Sequence, residues 1–223
     1  MSQDSLENPA DPKSSPAAPP FISGVILAAG RSRRMKEQGP KQLLRHEGRT
    51  LLEHVVHRAT ESDLDELIIV LGYRAEAILE SLALFAKMPI RVTVAPDFEM
   101  GQSRSLDAGL QAADSQAKAA AILLGDQPDL PTATINLARD AWLKRRPLLL
   151  RPEYTTSSGG KQPGHPVMIC RKIWPIIRRL EGDQGAREII RTHPDWLEAL
   201  PLPGAAPQDI DRSEDWKAWV ESR

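Results

Sequence analysis

Residues 22–44 read ISGVILAAGRSRRMKEQGPKQLL, and this stretch carries the strongest indication of the fold. The apolar run from Ile22 to Ala29 predicts a buried strand, which stops at Gly30. Three arginines and two lysines follow between residues 31 and 41. A glycine at a strand end lets the backbone turn sharply and come close to a ligand, and successive N–H groups in such a turn attract anions. Because arginine and lysine add full positive charges, we predict that this loop binds a triphosphate.

The alternative interpretation of this loop is a solvated basic segment, which is the usual explanation for a run of charges. A glycine turn that directly follows a strand favours ligand binding over that alternative. Two common phosphate-binding patterns are absent, because neither GxxxxGK[ST] nor GxGxxG occurs in the sequence. The loop is therefore predicted to be neither a P-loop nor a dinucleotide-binding fingerprint.

Apolar runs recur along the chain and alternate with helical patterns. The predicted strands are Ile22–Ala29, Glu66–Leu71, Ile90–Ala95, Ala119–Leu124, Leu148–Leu150 and Val167–Cys170. Apolar residues also recur at helical spacing around Leu51, Leu106, Ile135 and Trp219. This alternation predicts an α/β fold of three layers, in which helices cover both faces of a mostly parallel sheet. The segment from Tyr154 to Pro166 is predicted to be a long loop.

The composition narrows the functional classes. Lys and Arg total 29 against 30 Asp and Glu, and this net charge of -1 argues against nucleic acid as the partner. No apolar run approaches the roughly 18 residues that span a membrane. The single cysteine, Cys170, excludes an internal disulfide and is typical of a reducing compartment, so we expect a cytoplasmic protein. Residues 1–20 are rich in proline and predict a disordered tail before a single domain at 21–223.

Acidic residues occur where loops follow the predicted strands, which is where ligands bind in open α/β sheets. Asp126 follows the apolar run of AAAILLGDQPDL, residues 119–130. A carboxylate beside a phosphate site is the usual ligand of Mg²⁺, although Asp126 could instead cap a backbone N–H of the turn. Asp209 and Asp211 flank Ile210, so an extended backbone would place both carboxylates on one side. Capping of the next helix is the alternative explanation for this acidic segment.

Three further segments are candidates for ligand contacts, and each has a structural alternative. GQSRSLDAGL, residues 101–110, opens a predicted helix that Ser103 or Ser105 could cap. In PGHPVMI, residues 163–169, His165 precedes a strand, where a lone histidine is more often a structural hydrogen-bonding group. EGDQGAREII, residues 181–190, places two glycines before a helix, which suits either a polar ligand or an ordinary helix cap.

Together these blocks resemble the MobA/MocA-like NTP transferases, the nucleotidyltransferases that make molybdenum cofactor dinucleotides. LAAGRSRRM followed by GPKQLL is similar to the family's nucleotide loop, and LGDQP, GHP and GDQGAR are similar to later blocks. The resemblance covers about residues 22–222 and implies a Rossmann-like nucleotidyltransferase fold of the GT-A-like type. It also implies transfer of CMP from CTP to molybdopterin or molybdenum cofactor, with release of pyrophosphate. LAAG, rather than LAGG, is the form that the family associates with cytidylyl transfer.

The resemblance also implies roles for individual residues. Arg34, Lys41 and Asp126 would be catalytic. Mg²⁺, or Mn²⁺ as an alternative, would be bound by Asp126 and Asp209, with Asp211 as the competing ligand. Lys36 competes with Lys41 for the phosphate-binding position, and the PKQLL context favours Lys41. The nucleotide would be bound by Leu27, Ala28, Ala29, Gly30, Arg34, Lys41, Gln102 and Ser103. The acceptor would be bound by His165, Asp183, Gly185 and Arg187.

The expected partners follow from the same resemblance. They are CTP or another NTP, molybdopterin or molybdenum cofactor, and a molybdenum hydroxylase apoenzyme that receives the product. The attacking group is already a phosphate oxygen, so no strong general base is expected. A related enzyme that uses GTP or a different phosphorylated acceptor stays open as an alternative, as does a non-catalytic nucleotide-binding factor in molybdenum-enzyme maturation. An oxidoreductase would need a dinucleotide loop, which the sequence lacks.

Overall fold

The computed structural model describes residues 18–32, 34–35, 39–82, 90–180, 182 and 185–223, and one large sheet runs through them. Within these residues the sheet has eight strands: β1 (Ile22–Leu27), β4 (Glu66–Leu71), β5 (Ile90–Val94), β6 (Ala119–Leu124), β7 (Leu149–Thr155), β8 (Lys161–Pro163), β9 (Val167–Cys170) and β10 (Leu197–Pro203). A separate hairpin consists of β2 (Arg45–His46) and β3 (Arg49–Thr50). The order across the large sheet is β10-β7-β9-β6-β1-β4-β5, and β8 pairs with β7 beside this path.

β9 runs against the direction of its neighbours. β1 is parallel to β4 and β6, β4 is parallel to β5, and β7 is parallel to β10. β9 is antiparallel to both β6 and β7, with Val167 opposite Ile122 near the carboxyl end of β6. The residues that precede β9 therefore lie at the same edge of the sheet as the loops that follow β1 and β6.

Seven α-helices occur in the described residues, and six of them cover the two faces of the sheet. They are α1 (Leu51–Thr60), α2 (Ala75–Ser81), α3 (Gln102–Ala112), α4 (Thr132–Arg145), α5 (Trp174–Ile177), α6 (Ala186–Thr192) and α7 (Ser213–Glu221). One core contains residues of α1, α2 and α4, and the other contains residues of α3, α5 and α6. α7 packs against α1 in a small third cluster. The predicted three-layer α/β fold, with a mostly parallel sheet, is confirmed.

The first strand shows how the sequence produces this layering. Successive side chains of a strand point to opposite faces of its sheet. Ile22 and Ile26 accordingly pack into the core with α1 and α4, whereas Val25 packs into the core with α3. All three side chains are fully buried, which is why the run is apolar throughout rather than alternating with polar residues.

One expectation about loops is wrong, and one strand was not predicted. The segment from Tyr154 to Pro166 is not one long loop, because β7 continues to Thr155, which pairs with Lys161 of β8 across a tight turn. The backbone N–H of Thr156 donates to the carbonyl of Gly160 and closes that turn. β10 escaped prediction because its residues alternate between half-buried and exposed, as an edge strand allows.

Some residues named in the sequence analysis lie outside the part of the chain that the structure describes. They are residues 1–17, which form most of the predicted tail, and Lys36 and Asp183. Among the helices of the described part of the chain, none has the length and apolar character needed to cross a membrane.

Candidate active site

The carboxyl ends of β1 and β6 approach each other closely enough to exclude a side chain. The backbone N–H of Gly125 donates to the carbonyl of Leu27 at 2.9 Å. A Cβ on Gly125 would lie 2.8 Å from Ala28 Cβ and 3.1 Å from the Leu27 carbonyl oxygen. Gly125 is therefore required for the close approach that brings Asp126 next to the loop after β1.

The loop after β1 is held by side chains that follow it in sequence. Gln42 Nε2 donates to the carbonyl of Ala28 at 3.0 Å, and the backbone N–H of Lys41 donates to Ser32 Oγ at 3.0 Å. Ser32 is in the left-handed region, with φ of 54°. Gly30 is not, and a Cβ placed on it would meet nothing within 4 Å. The predicted glycine turn is thus formed at Ser32, and Gly30 instead leaves open space beside the backbone.

Lys41 joins three distant segments of the chain. Its Nζ lies 2.6 Å from Asp126 Oδ2 and 2.7 Å from Asp211 Oδ1. Asp211 Oδ2 in turn accepts a hydrogen bond from Arg34 Nη1 at 2.8 Å. Arg34, Lys41, Asp126 and Asp211 are therefore connected by ion pairs, in spite of separations of 85 and 170 residues between Lys41 and its partners.

Burial and charge act in opposite directions on these groups. Burial raises the pKa of Asp126 above its usual value, and the nearby charges of Asp209 and Asp211 add to that effect, while Lys41 opposes it. Burial would lower the pKa of Lys41, but the contacts with Asp126 and Asp211 outweigh it and raise the pKa. The pKa of Asp211 is lowered despite partial burial, because Lys41 and Arg34 stabilise its charged form. The lysine is a permanent cation that two carboxylates share.

Asp209 is the third carboxylate of the site and lies close to the end of β6. Its Oδ1 accepts a hydrogen bond from Gln127 Nε2 at 2.7 Å, and the next residue, Ile210, donates its backbone N–H to the carbonyl of Asp126 at 2.9 Å. The side chain of Ile210 is buried with Leu51 and Trp219. α1 and α7 therefore hold the Asp209–Asp211 segment against the end of β6.

Two adjoining cavities open at this edge of the sheet. The first, the β1 cavity, has a volume of about 470 Å³ and is lined by the loop after β1, the Lys41 network and the start of α3. The second, the β9 cavity, has a volume of about 500 Å³ and is lined by β7, the segment before β9, and α6. Five residues line both cavities: Leu27, Gln102, Leu124, Arg187 and Asp209. The two spaces therefore share a boundary at which Arg187 and Asp209 lie.

Most of the predicted nucleotide-binding residues line the β1 cavity. They are Leu27, Ala28, Ala29, Gly30, Arg34, Lys41 and Gln102, together with the predicted metal ligands Asp126 and Asp209. Ser103 is different, because it is buried and does not line the cavity, whereas Ser105 does. Residues 102 and 105 are three apart and share one face of α3, while residue 103 lies about a quarter turn away.

The predicted acceptor residues are distributed less evenly. His165 and Arg187 line the β9 cavity. Gly185 does not line it but packs behind it, with φ of 48° and a hypothetical Cβ only 2.9 Å from Gln102 Oε1. Asp183 lies outside the described residues. Arg151 and Gln162, on β7 and β8, also line this cavity and were not predicted.

His165 is held in one protonation state. Burial lowers its pKa, and its Nδ1 lies 3.2 Å from the carbonyl oxygen of Ile122. Because a carbonyl only accepts, Nδ1 carries the proton, and Nε2 of the neutral ring is left as an acceptor. The imidazole is therefore suited to positioning a ligand in the β9 cavity rather than to exchanging protons at neutral pH.

The donor set fits a hard divalent cation that a substrate helps to bind. Asp126 Oδ1 is buried and has no hydrogen-bond partner among the described residues. The same residues contain no group of three or more His, Cys, Asp or Glu side chains arranged around one metal position. Mg²⁺ commonly takes only one or two carboxylates and completes its coordination with phosphate oxygens and water. Asp126 and Asp209 fit that mode, because within the described residues each has a hydrogen bond to only one of its two carboxylate oxygens, whereas both oxygens of Asp211 are engaged by Lys41 and Arg34.

Comparisons with known proteins agree with this geometry. Residues 24–197 match the family described as the MobA-like NTP transferase domain. The chain is 32% identical to nicotine blue oxidoreductase of Paenarthrobacter nicotinovorans, over 80% of this chain and 85% of that protein. It is also 32% identical to the purine catabolism protein PucB of Bacillus subtilis, over 78% of this chain and 82% of that protein.

Two solved structures have a similar fold. The crystal structure of Rv0371c from Mycobacterium tuberculosis has a TM-score of 0.80 and 30% identity, covering 92% of this chain and 99% of that one. A second structure of Rv0371c, in complex with manganese, has a TM-score of 0.76 and covers 91% of this chain and 100% of that one, also at 30% identity. From the matched domain and these relatives, we conclude that the chain belongs to the MobA-like NTP transferase family and is a nucleotidyltransferase.

Proposed function

We propose that this nucleotidyltransferase moves CMP from CTP to the terminal phosphate of molybdopterin or molybdenum cofactor and releases pyrophosphate. One observation carries the proposal: Lys41 and Asp126 meet in the cavity beneath the loop after β1, and this cavity shares Arg187 and Asp209 with the cavity beside His165. Two substrates can therefore lie side by side, with Arg187 and Asp209 between them. The choice of CTP is supported by Ala29, where the family form for guanylyl transfer has a glycine.

In the proposed complex the nucleotide occupies the β1 cavity. The backbone of Ala28, Ala29 and Gly30 faces the nucleotide, and the open space beside Gly30 permits close approach. Arg34 and Lys41 hold the β- and γ-phosphates, which become the leaving pyrophosphate. Both cations already bind carboxylate oxygens in the free protein, and phosphate oxygens are equivalent partners for them.

Asp126 and Asp209 would hold the divalent cation, Mg²⁺ or Mn²⁺. Such a cation neutralises phosphate charge and polarises the α-phosphate. The unpartnered Asp126 Oδ1 supports this role, and so does the manganese complex of the 30% identical Rv0371c. Gln127 fixes Asp209 by its hydrogen bond, so that the carboxylate needs little reorganisation when the nucleotide binds.

The reaction itself is an in-line displacement. A phosphate oxygen of the acceptor forms a bond to the α-phosphorus, and the bond from that phosphorus to the oxygen bridging the β-phosphate breaks. The attacking oxygen carries no proton that must be removed at neutral pH, so positioning and charge neutralisation account for catalysis. Arg187 and His165 would position the acceptor in the β9 cavity, and Asp183 is proposed to assist from outside the described residues.

The decisive experiment measures pyrophosphate release with each of the four NTPs, with and without molybdopterin. We expect release only when CTP, molybdopterin and a divalent cation are all present. Release with GTP in place of CTP would overturn the base assignment, and release with a different phosphorylated acceptor would overturn the acceptor assignment. Tight NTP binding without any release would instead favour a non-catalytic maturation factor.

A redox activity is a second candidate, because one 32% identical relative is named an oxidoreductase. The sequence contains no glycine-rich dinucleotide fingerprint, and the β1 cavity presents four carboxylates and four cations rather than an apolar surface for a nicotinamide or flavin ring. Titration with NADH and NADPH tests this candidate. We expect no binding at millimolar concentrations, and saturable binding of either dinucleotide would contradict the transferase proposal.

A further inference from the structure

We propose that Arg151, together with Arg187, forms a guanidinium pair that binds the phosphate group of the acceptor in the β9 cavity. Arg151 would thereby restrict the acceptor to phosphate monoesters and exclude sugars or alcohols that present a hydroxyl group. The inference deepens the proposed function and rests on it, since it names the residue that recognises the attacking group. No sequence block points to Arg151.

The position of Arg151 follows from the pairing of β7. β9 pairs with β7 only at Leu149 and Leu150, and β8 pairs with it only from Glu153 onward. Arg151 therefore lies where β7 has neither strand beside it on that edge. Leu149 is buried in the core of α3, α5 and α6, and Arg151, two residues further along, lies on the same face of the strand. Its side chain accordingly lines the β9 cavity.

The charge of Arg151 lacks a partner in the described part of the chain. Glu153, on the same face of β7, has its carboxylate 2.7 Å from Lys161 Nζ. No ion pair to Arg151 or Arg187 occurs within the described residues. Burial lowers the pKa of Arg151; the carboxylate of Glu153 opposes this shift, and the positive charge of Arg187 adds to it. Arg151 and Arg187 line the same cavity, so their two guanidinium groups form a site whose complement is an anion.

The anion must be one that can accept hydrogen bonds from two planar guanidinium groups at once. Guanidinium groups bind phosphate through paired N–H donors, and two of them match a phosphate dianion in both charge and donor number. Arg187 lines both cavities, whereas Arg151 lines only the β9 cavity. A phosphate between them would lie at the boundary, with a free oxygen facing the nucleotide. A hydroxyl acceptor would leave both guanidinium groups without an anion, so a phosphate monoester is the class that the site selects.

The test separates acceptor binding from nucleotide binding. Steady-state pyrophosphate release is measured for Arg151→Gln, Arg151→Lys and the control Lys172→Gln, with molybdopterin varied at saturating CTP and then with CTP varied at saturating molybdopterin. Lys172 follows β9 at the end of that strand opposite His165, is exposed and lines neither cavity, so its substitution removes one positive charge without touching the site.

We expect Arg151→Gln to raise KM for molybdopterin by about 10- to 100-fold, the usual effect of losing hydrogen bonds to a charged group. KM for CTP should change by less than about twofold, and Lys172→Gln should change neither value. Arg151→Lys should recover only part of the loss, because an ammonium group lacks the planar fork. Equal increases in both KM values, or an unchanged KM for molybdopterin, would overturn the inference and leave the transferase proposal intact.

A second measurement does not depend on turnover. Binding of inorganic phosphate to the full chain is followed by ³¹P NMR for the same variants, with thermal unfolding as the check on folding. We expect the dissociation constant to rise at least about 10-fold in Arg151→Gln and to stay unchanged in Lys172→Gln. Phosphate binding that depends on Arg151 in a protein that transfers no nucleotide would support this inference while the proposed function fails. Binding that is insensitive to Arg151 would overturn it.

Discussion

Replacement of Asp126 by asparagine tests the site most directly, because activity should fall steeply while stability changes little. The substitution keeps the size of the side chain and removes one negative charge. The Asp126 and Lys41 side chains are only 21% and 11% exposed, and breaking such a pair usually costs about 3–5 kcal/mol when it leaves a buried charge alone. Lys41 is not left alone here, because Asp211 remains 2.7 Å away.

Two further features reduce the cost. The pKa of Asp126 is raised by burial and by the charges of Asp209 and Asp211, so its ionised form is less favourable in the folded protein than in the unfolded chain. Removal of the charge therefore relieves a penalty while it removes one contact of Lys41. We expect the free energy of unfolding to change by no more than about 1 kcal/mol, or about 2–4 °C in Tm for a chain of this size.

The effect on catalysis should be far larger. Loss of one electrostatic group at a reacting centre commonly lowers the rate about 100- to 1000-fold, and Asp126 is one of only two proposed ligands to the cation. The assay compares pyrophosphate release and thermal unfolding for the wild type, Asp126→Asn and the control Asp129→Asn, which removes the same charge three residues further along the surface. Pyrophosphate release by Asp126→Asn within about tenfold of the wild type would refute the metal assignment. A fall in Tm of 10 °C or more, on the order of 3 kcal/mol, would show that the carboxylate is mainly structural.

Three other substitutions probe the surroundings of the site. In Gly125→Ala the new methyl group would overlap Ala28, so we expect a loss of about 1–3 kcal/mol in unfolding experiments and reduced turnover; an unchanged Tm would refute the close approach of the two strand ends. Trp219→Ala should cost about 3–5 kcal/mol by denaturant unfolding and lower kcat, because α7 would no longer hold the acidic segment; full activity would contradict that role. The lowered pKa of His165 means that the unfolded chain binds more protons as pH falls below about 6.5, so stability present above that pH is lost on acidification. His165→Asn, which can still donate to the carbonyl of Ile122, should flatten the dependence of unfolding free energy on pH between 7 and 5, and an unchanged slope would count against the buried histidine.

The centre of the sheet was predictable because its strands are buried on both faces. The predicted bounds Glu66–Leu71, Ala119–Leu124 and Val167–Cys170 agree with the structure to the residue. These segments are strands buried on both faces of the sheet, and a continuous apolar run in the sequence is the direct sign of such burial. At Leu197–Pro203 the side chains are partly solvated, so the composition carries no comparable indication of a strand.

The candidate site residues that follow parallel strands could be predicted from the sequence, whereas those whose position depends on the direction of a strand could not. Lys41 and Asp126 follow neighbouring parallel strands, and such ends meet at one edge of a sheet. His165 precedes its strand, and only the reversed direction of β9 brings it to the same edge. Arg151 was not predicted as a site residue because the expected strand ended at Leu150, one residue before it, whereas β7 continues to Thr155. Strand direction depends on the pairing of distant segments, which a local pattern does not encode.

The position of Lys41 between Asp126 and Asp211 has a consequence for ligand selection under the proposed function. A triphosphate without a bound metal would attract the Lys41 ammonium group and leave the carboxylates of Asp126 and Asp211 next to further negative charge. A divalent cation without a nucleotide would bind the carboxylates and leave the Lys41 ammonium group next to another positive charge. A nucleotide with a bound cation would supply phosphate oxygens to Lys41 and a positive charge to the carboxylates at the same time. Under the proposed function, the ion pairs of the free protein would therefore favour binding of the metal–nucleotide complex over binding of either component alone.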